Sequence, residues 1–397
     1  MNLIEQYARY YAGKEEPKIA FCPYRICPLG AHSDHQHGKV TGLAIDQGIQ
    51  IAYTPTDDGS VQLVSLNFDG TAHFNINNVP AVKVVDWADY LRGATIALGR
   101  IRPLCKGLKG IIYGSLPVGG LSSSAAVIIS YLSALCEVNG VKLSADEIIQ
   151  TALWSEVNYV GVSVGTLDQS CEVLCKKDNL LYLDTSDGSY ERIAAPSTMK
   201  PFKIAIFFSG IQRSLAGSAF NSRVNELKSA AHALMSYAGI KCDNFEDARL
   251  RYVHRDIYNA FKHRLPDDWC KRAEHYYTEF ERVENGAKAW REGDIETFGR
   301  LSFESGYSSI YNYETGSPEL KELYEIMGRT NGIYGGRFSG AGFKGCCMGI
   351  VNPDYLEEIE HTVTTEYLKA FPNLEGKFSV HFCDSADGVL PDFERSV

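Results

Sequence analysis

Gly114-Ser-Leu-Pro-Val-Gly-Gly-Leu-Ser-Ser-Ser-Ala-Ala126 places a glycine-rich turn and three consecutive serines between an apolar strand predicted over 107–114 and an apolar helix predicted over 122–138. Helix amino-termini present N–H groups that lack intrahelical partners, together with a partial positive charge. Glycines let the backbone approach a ligand closely, and hydroxyls ligate phosphate or a divalent cation. Pro117, Gly119, Gly120, Leu121, Ser122, Ser123, Ser124 and Ala125 are therefore candidate phosphate-binding residues. No lysine follows the glycines, so this is not the lysine-containing P-loop. An ordinary serine-capped helix would leave a similar trace, because serine is favoured at N-caps.

Working outward, residues 18–53 are rich in β-branched and aromatic side chains broken by glycines, and 60–74 alternate apolar with polar. Both read as strands. Apolar spacing predicts helices over 86–101 and 144–159. Pro196-Ser-Thr-Met-Lys-Pro201 then sets two prolines and small polar residues before a strand predicted over 203–209, which divides the chain into domains 1–197 and 198–397. The second half reads as mainly helical from 216 to 327. It closes with a strand, a glycine-rich loop, a strand over 347–351, a helix near 354–370 and a last strand near 378–383, an order like a split β-α-β unit.

The 397 residues, 45% of them hydrophobic, suffice for two cores. A net charge of −10 argues against nucleic acid or an anionic membrane as main partner, since both need a basic surface. No stretch approaches the roughly 20 apolar residues that span a bilayer. The eleven cysteines are odd in number, and residues 2–18 are polar rather than signal-like, so reduced thiols in a cytoplasmic protein are expected. Cys346 and Cys347 lie in an apolar run and read as core. Cys171 and Cys175 sit four apart without a second pair at zinc-site spacing.

Three further segments carry chemistry. Gly335-Gly-Arg-Phe-Ser-Gly-Ala-Gly-Phe-Lys-Gly345 is too glycine-dense for a simple hairpin, and with the first loop it forms a second backbone cradle for one nucleotide. Pro23-Tyr-Arg-Ile-Cys-Pro-Leu-Gly-Ala-His-Ser-Asp-His-Gln-His-Gly38 packs Arg25, His32, Asp34, His35 and His37 into one loop. Its imidazoles and carboxylate suit either a metal or the hydroxyls of a polar ligand. Gly165-Thr-Leu-Asp-Gln-Ser170 brings Asp168 to the start of a helix, where an acidic residue is also favoured by the helix dipole.

In series, these four segments resemble the GHMP kinases, in their galactokinase-like branch. The resemblance covers nearly the whole chain and includes Lys271-Arg-Ala-Glu-His275, Glu281-Arg-Val283, residues 293–301, and Tyr313-Glu314 before Ser317-Pro-Glu-Leu320. It implies an α+β, two-domain fold, with a ribosomal-protein-like amino-terminal domain and a ferredoxin-like carboxy-terminal domain around a cleft for ATP, Mg²⁺ and sugar. By the same resemblance Ser124 and Glu156 are metal ligands, and Asp168 is the catalytic base flanked by Arg25. Ala31, His32, Asp34 and Phe220 line the sugar. Gly340, Gly342 and Gly345 form the second phosphate-side loop.

The resemblance also points to departures. Galactokinases carry a glutamate, bonded to the sugar's carbon-six hydroxyl, where this chain has Ala31. They have a tyrosine at Phe220, and Lys344 interrupts the second glycine pattern. The wording Tyr24-Arg-Ile-Cys-Pro-Leu-Gly-Ala-His32, with Arg337-Phe-Ser-Gly-Ala-Gly-Phe343 and the Cys346–Cys347 pair, is closer to galacturonokinases. A carboxylate at position 31 would repel a carboxylate on carbon six by about 4 kcal/mol at ~4 Å and an effective dielectric near 20. Alanine removes that repulsion. D-galacturonate is thus the expected sugar, with D-galactose the alternative and a non-catalytic sugar sensor the second. Lys39, Arg213 and Lys344 are the candidate partners of a uronate carboxylate.

Overall fold

The computed structural model describes residues 2–11, 15–211 and 218–390. A first sheet comprises β1 (Lys18–Ile26), β2 (Lys39–Thr56), β3 (Ser60–Ser65), β4 (Thr71–Asn75), β5 (Gly107–Gly114), β6 (Asn179–Asp184) and β7 (Tyr190–Ala194). Its path runs β4-β3-β5-β2-β6-β7, with β1 also paired to β2. The 18-residue β2 is the spine: its start pairs with β6, its middle with β1 and its end with β5.

One irregularity in β1 prepares the site. Pro23 has no N–H to give a ladder, and the register slips there from Pro23 opposite Gly48 to Tyr24 opposite Ile45. Gly48 is required, because a Cβ would lie 2.1 Å from the Cys22 carbonyl oxygen. Beyond the slip, the Arg25 N–H donates to the Leu121 carbonyl at 3.3 Å, joining β1 to the serine-rich turn.

The helices of this half are α1 (Leu3–Tyr10), α2 (Asp89–Gly99), α3 (Ser123–Val138), α4 (Ala145–Trp154) and α5 (Leu167–Leu174). Apolar around most of its circumference, α3 is buried between β1, β2, α2 and α4. A capping box of Ser144 and Glu147 starts α4. The single helix expected to reach 159 instead stops at Trp154, and Ser155–Val160 widens into a π turn closed by Gly161 at φ +81°. That turn carries Glu156, consistent with the use of π insertions to re-aim functional side chains.

The second sheet comprises β8 (Lys203–Phe208), β9 (Ile333–Phe338), β10 (Cys346–Val351) and β11 (Ser379–Cys383), antiparallel in the order β11-β8-β10-β9. Around it lie α6 (Ser218–Tyr237), α7 (Arg255–Phe261), α8 (Asp267–Glu292), α9 (Ile295–Tyr311), α10 (Pro318–Arg329) and α11 (Leu356–Ala370). Alternation along β10 sends Cys346 into the core shared with the first sheet and Cys347 into the core under α10 and α11. All eleven cysteines are free thiols.

The halves are stitched together. After β11 the chain leaves the second sheet, and β12 (Ser385–Ala386) pairs with β2 in the first. The end of α8 packs Val283, Ala287 and Trp290 into the first core, and the indole N–H of Trp290 donates to the Ile193 carbonyl at 2.9 Å. Among the described residues, no helix is long and apolar enough to cross a membrane.

Candidate active site

The two glycine-rich loops meet backbone to backbone. A Cβ on Gly119 would lie 2.9 Å from Gly345 Cα, and one on Gly340 would lie 2.9 Å from Gly120 Cα. A side chain at either position would push the loops apart. The Ser339 hydroxyl closes the contact by donating to the Gly120 carbonyl at 2.7 Å. Gly342 serves its own loop, since a Cβ there would strike the Phe338 ring at 2.3 Å. Leu121 and Ala125 are buried beneath the turn that Pro117 enters.

Ser122 does not behave as an ordinary cap. It opens α3 at φ +63°, and its side chain makes no hydrogen bond to the helix. The hydroxyls of Ser122 and Ser123 are buried and have no hydrogen-bond partner among the described residues. The helix-capping explanation of this serine run therefore fails, and the uncapped N–H groups at the start of α3 suit an anionic ligand.

Arg25 and Asp168 come together as expected. Arg25 is 4% exposed and donates from Nε to Asp168 Oδ1 at 2.8 Å, with Nη2 at 2.7 Å from the same oxygen. Its Nη1 donates to the Gly120 carbonyl at 3.0 Å. One guanidinium thus ties the serine-rich turn to α5. Burial opposes its charge, but the charge and hydrogen bond of Asp168 outweigh that and raise its pKa.

Three other carboxyls crowd this cation. Glu156 is buried, accepts from the Gln169 amide and faces the Ser124 hydroxyl. Burial, then the charge of Asp168, raises it to about 7. Asp34 is pushed up to about 6 by burial and by the Asp168 charge, against the pull of the His35 and Leu167 N–H groups. Gly165 makes room for it, because a Cβ there would lie 2.4 Å from Asp34 Oδ2. Glu172, one turn beyond Asp168, is fully buried. Its approach to this cluster was not foreseen from the sequence, although its i, i+4 spacing from Asp168 on a predicted helix was a signal available there.

The histidine-rich loop faces an aromatic wall from the second half. His32, at φ +65°, stacks on Tyr313 with ring centroids 4.3 Å apart and planes 8° from parallel. Phe220 and His275 stand 6.3 and 6.0 Å from the His32 ring. His32 Nε2 is buried without a partner, and burial followed by the Arg337 charge keeps the ring neutral. His275 pins the loop: its Nε2–H donates to the Ala31 carbonyl at 3.0 Å, which leaves Nδ1 to accept from Ser308. Glu279 accepts from the Gly30 N–H at 2.7 Å. Tyr313 and His275 lie in stretches quoted for the resemblance, yet no role was assigned to either from sequence.

The imidazoles of the loop part company. His35 faces the Tyr313 hydroxyl and His37 the Tyr252 hydroxyl. Among the described residues no three histidines, cysteines or carboxylates converge as a metal site. Of the candidate uronate partners, Lys39 pairs with Glu284 at 2.6 Å, Lys344 sits in the second glycine loop, and Arg213 lies outside the described residues.

Known proteins resemble the chain over nearly its whole length. The family model for the GHMP kinases N terminal domain matches residues 89–176, and that for the GHMP kinases C terminal domain matches 287–370. The chain is 38% identical to a galacturonokinase of Arabidopsis thaliana, over 98% of this chain and 97% of that one. It is 31% identical to a galactokinase of Roseiflexus sp., over 98% and 96%. Lactococcus lactis galactokinase complexed with galactose superposes with a TM-score of 0.88 at 26% identity, covering 97% of this chain and 98% of that one.

Proposed function

The chain belongs to the GHMP kinases, as a sugar kinase of the galactokinase-like branch, and we propose that it transfers the terminal phosphate of ATP to the anomeric hydroxyl of D-galacturonate. The observation that carries the choice of sugar is the small, uncharged Ala31, whose backbone carbonyl is fixed by His275 beside the stacked His32 and Tyr313 rings. The galacturonokinase relative supports the same choice. Galactose is the alternative, supported by the Lactococcus lactis neighbour.

The roles follow from the chemistry of phosphoryl transfer, which is mostly positioning and charge neutralisation. The interlocked turns around Gly119, Gly120, Gly340, Gly342 and Gly345 cradle the phosphates, with the first N–H groups of α3 presented to their oxygens. Mg²⁺, held by Ser124 and Glu156, would neutralise phosphate charge; an oxygen donor pair fits that ion. Asp168, held in place by Arg25, accepts a hydrogen bond from the sugar's anomeric hydroxyl and receives its proton as the new bond forms. His32 and Asp34 hold the sugar's other hydroxyls, while Phe220 and Tyr313 pack against its apolar faces.

A purely sensing protein would need the sugar wall but not the arginine–aspartate pair, so the complete set supports catalysis. The deciding experiment measures ADP release with galacturonate, galactose, glucuronate and arabinose. Galacturonate should give the highest kcat/KM. A higher value with galactose would overturn the choice of sugar, and no ADP with any of them would overturn the kinase reading for this chain.

A further inference from the structure

Behind the serine-rich turn lies an ionisable side chain that the reaction above does not use. Glu172 on α5 is 0% exposed. Its Oε2 receives only a thiol contact from Cys22 at 4.0 Å, and its Oε1 has no partner. The hydroxyls of Tyr24, Ser122 and Ser123 gather at the same place, each buried and each without a closed hydrogen bond. Ser122 faces the Glu172 carboxyl, and Tyr24 faces Ser123. Gly114 admits the phenol, because a Cβ there would lie 2.6 Å from its oxygen.

Two features give this cluster a direction. Ser122 holds a left-handed backbone that L side chains rarely adopt, and no capping bond explains it. Glu172, for its part, has no free cation beside it among the described residues. Arg25 from β1 is committed to Asp168 and the Gly120 carbonyl, Asp168 and Glu156 add negative charge, and Cys22 and Tyr24 add none that is positive. A carboxyl so enclosed keeps its proton, and a neutral acid has one O–H to donate. The Ser122 oxygen is the acceptor that faces it.

We propose that Glu172 is a positioning residue, bracing the Ser122 side chain from behind and so fixing the left-handed turn that points the first N–H groups of α3 at the nucleotide phosphates. The proposal rests on reading the serine-rich turn as the phosphate cradle. Because Glu172 works through Ser122 and touches no reacting atom, its loss falls on KM for ATP and leaves kcat nearly intact.

The test measures kcat and KM for ATP in the parent, Glu172→Gln, Glu172→Leu, Ser122→Ala and the Leu/Ala double variant. Glutamine keeps the shape and a neutral donor, so KM should stay within about twofold of the parent. Leucine should raise KM about tenfold, the size of one lost hydrogen bond, with kcat changed much less. The double variant should be little worse than Glu172→Leu, because the two changes break one contact. A parental KM in Glu172→Leu, a glutamine variant as impaired as leucine, or additive single effects would each overturn the proposal. If leucine prevents folding, Glu172→Ala takes its place in the same cycle. Ser124→Ala separates the premises: no effect of that change on ATP or Mg²⁺ dependence would sink the cradle reading itself, whereas an effect there with a silent Glu172→Leu would sink only the role of Glu172.

Discussion

The two sides of this site, which we assign to phosphate and to sugar, are built in opposite ways. The phosphate side is backbone. Its turns depend on hydrogen in place of a Cβ at Gly119, Gly120, Gly340 and Gly345, where two loops touch main chain to main chain. The sugar side is side chains from distant segments, with His32 stacked on Tyr313 and the Ala31 carbonyl held by His275. Backbone geometry tolerates little change, whereas a wall of side chains is altered by single substitutions that leave the fold alone. Such a plan lets one donor cradle serve different acceptors, and the proposed role of position 31 belongs to the side-chain wall.

The Arg25–Asp168 pair joins the two sides, so breaking it should have the largest effect. Asp168→Asn keeps the shape but removes the anionic acceptor, and kcat should fall by about a thousandfold, within the span of general base effects. ATP binding, followed by nucleotide titration, should persist. A variant retaining most of the parental kcat would show that Asp168 is not the acceptor. Next in size, Ala31→Glu acts on the sugar side alone. It should lower kcat/KM for galacturonate by about a hundredfold through like-charge repulsion, with at best a modest gain for galactose, because rejection needs only proximity. An unchanged ratio of the two specificity constants in a folded variant would mean that residue 31 does not face carbon six.

The phosphate side has its own probe. Gly120→Ala would place a methyl group 2.9 Å from both Cys346 Sγ and the Ser339 carbonyl oxygen, at φ +90°. The strain should cost about 1–3 kcal/mol, visible as a lower melting temperature, and KM for ATP should rise by roughly tenfold or more. If instead the sugar KM rose and that for ATP did not, the division between the two sides would be wrong.

This contrast also explains what was legible in the sequence. Glycines and serines that shape a turn lie next to one another in the chain, so the phosphate side could be read from residues 114–126 and 335–345 directly. The strands and α3 followed from alternation and an apolar run. The sugar wall was half legible: His32 and Asp34 announce themselves in a polar loop, but Tyr313 and His275 reach it only through α8 and α9 packing, which no local pattern encodes. The π turn at Ser155–Val160 was hidden for a different reason, since helical spacing continues through it and only the extra residue re-aims Glu156. The return of β12 to β2 is a two-residue pairing, too short to leave a periodic trace.

The smallest effect is one of pH, and it separates the sides without any change to the fold. Asp34 stands on the sugar side with its pKa raised to about 6 by burial and by the Asp168 charge. In the proposed role the carboxylate would accept hydrogen bonds from sugar hydroxyls, and the protonated acid would give up part of that capacity. Sugar binding should therefore weaken as pH falls through about 6, and at pH 5 kcat/KM for the sugar should be about tenfold below its neutral value, since roughly a tenth of the group is then ionised. With Mg-ATP saturating, this limb reports the sugar side, whereas KM for ATP should follow a separate curve set by Glu156, which is raised to about 7 on the phosphate side. The unliganded fold should respond with the opposite sign. An unfolded aspartate ionises near 3.9, so this group's contribution to stability is fully present below that pH and is lost as pH rises through about 6. In Asp34→Asn both dependences should flatten, with a uniformly weaker sugar KM. An acid limb that survives the substitution unchanged would assign the titration to another group and remove Asp34 from the sugar side of the comparison.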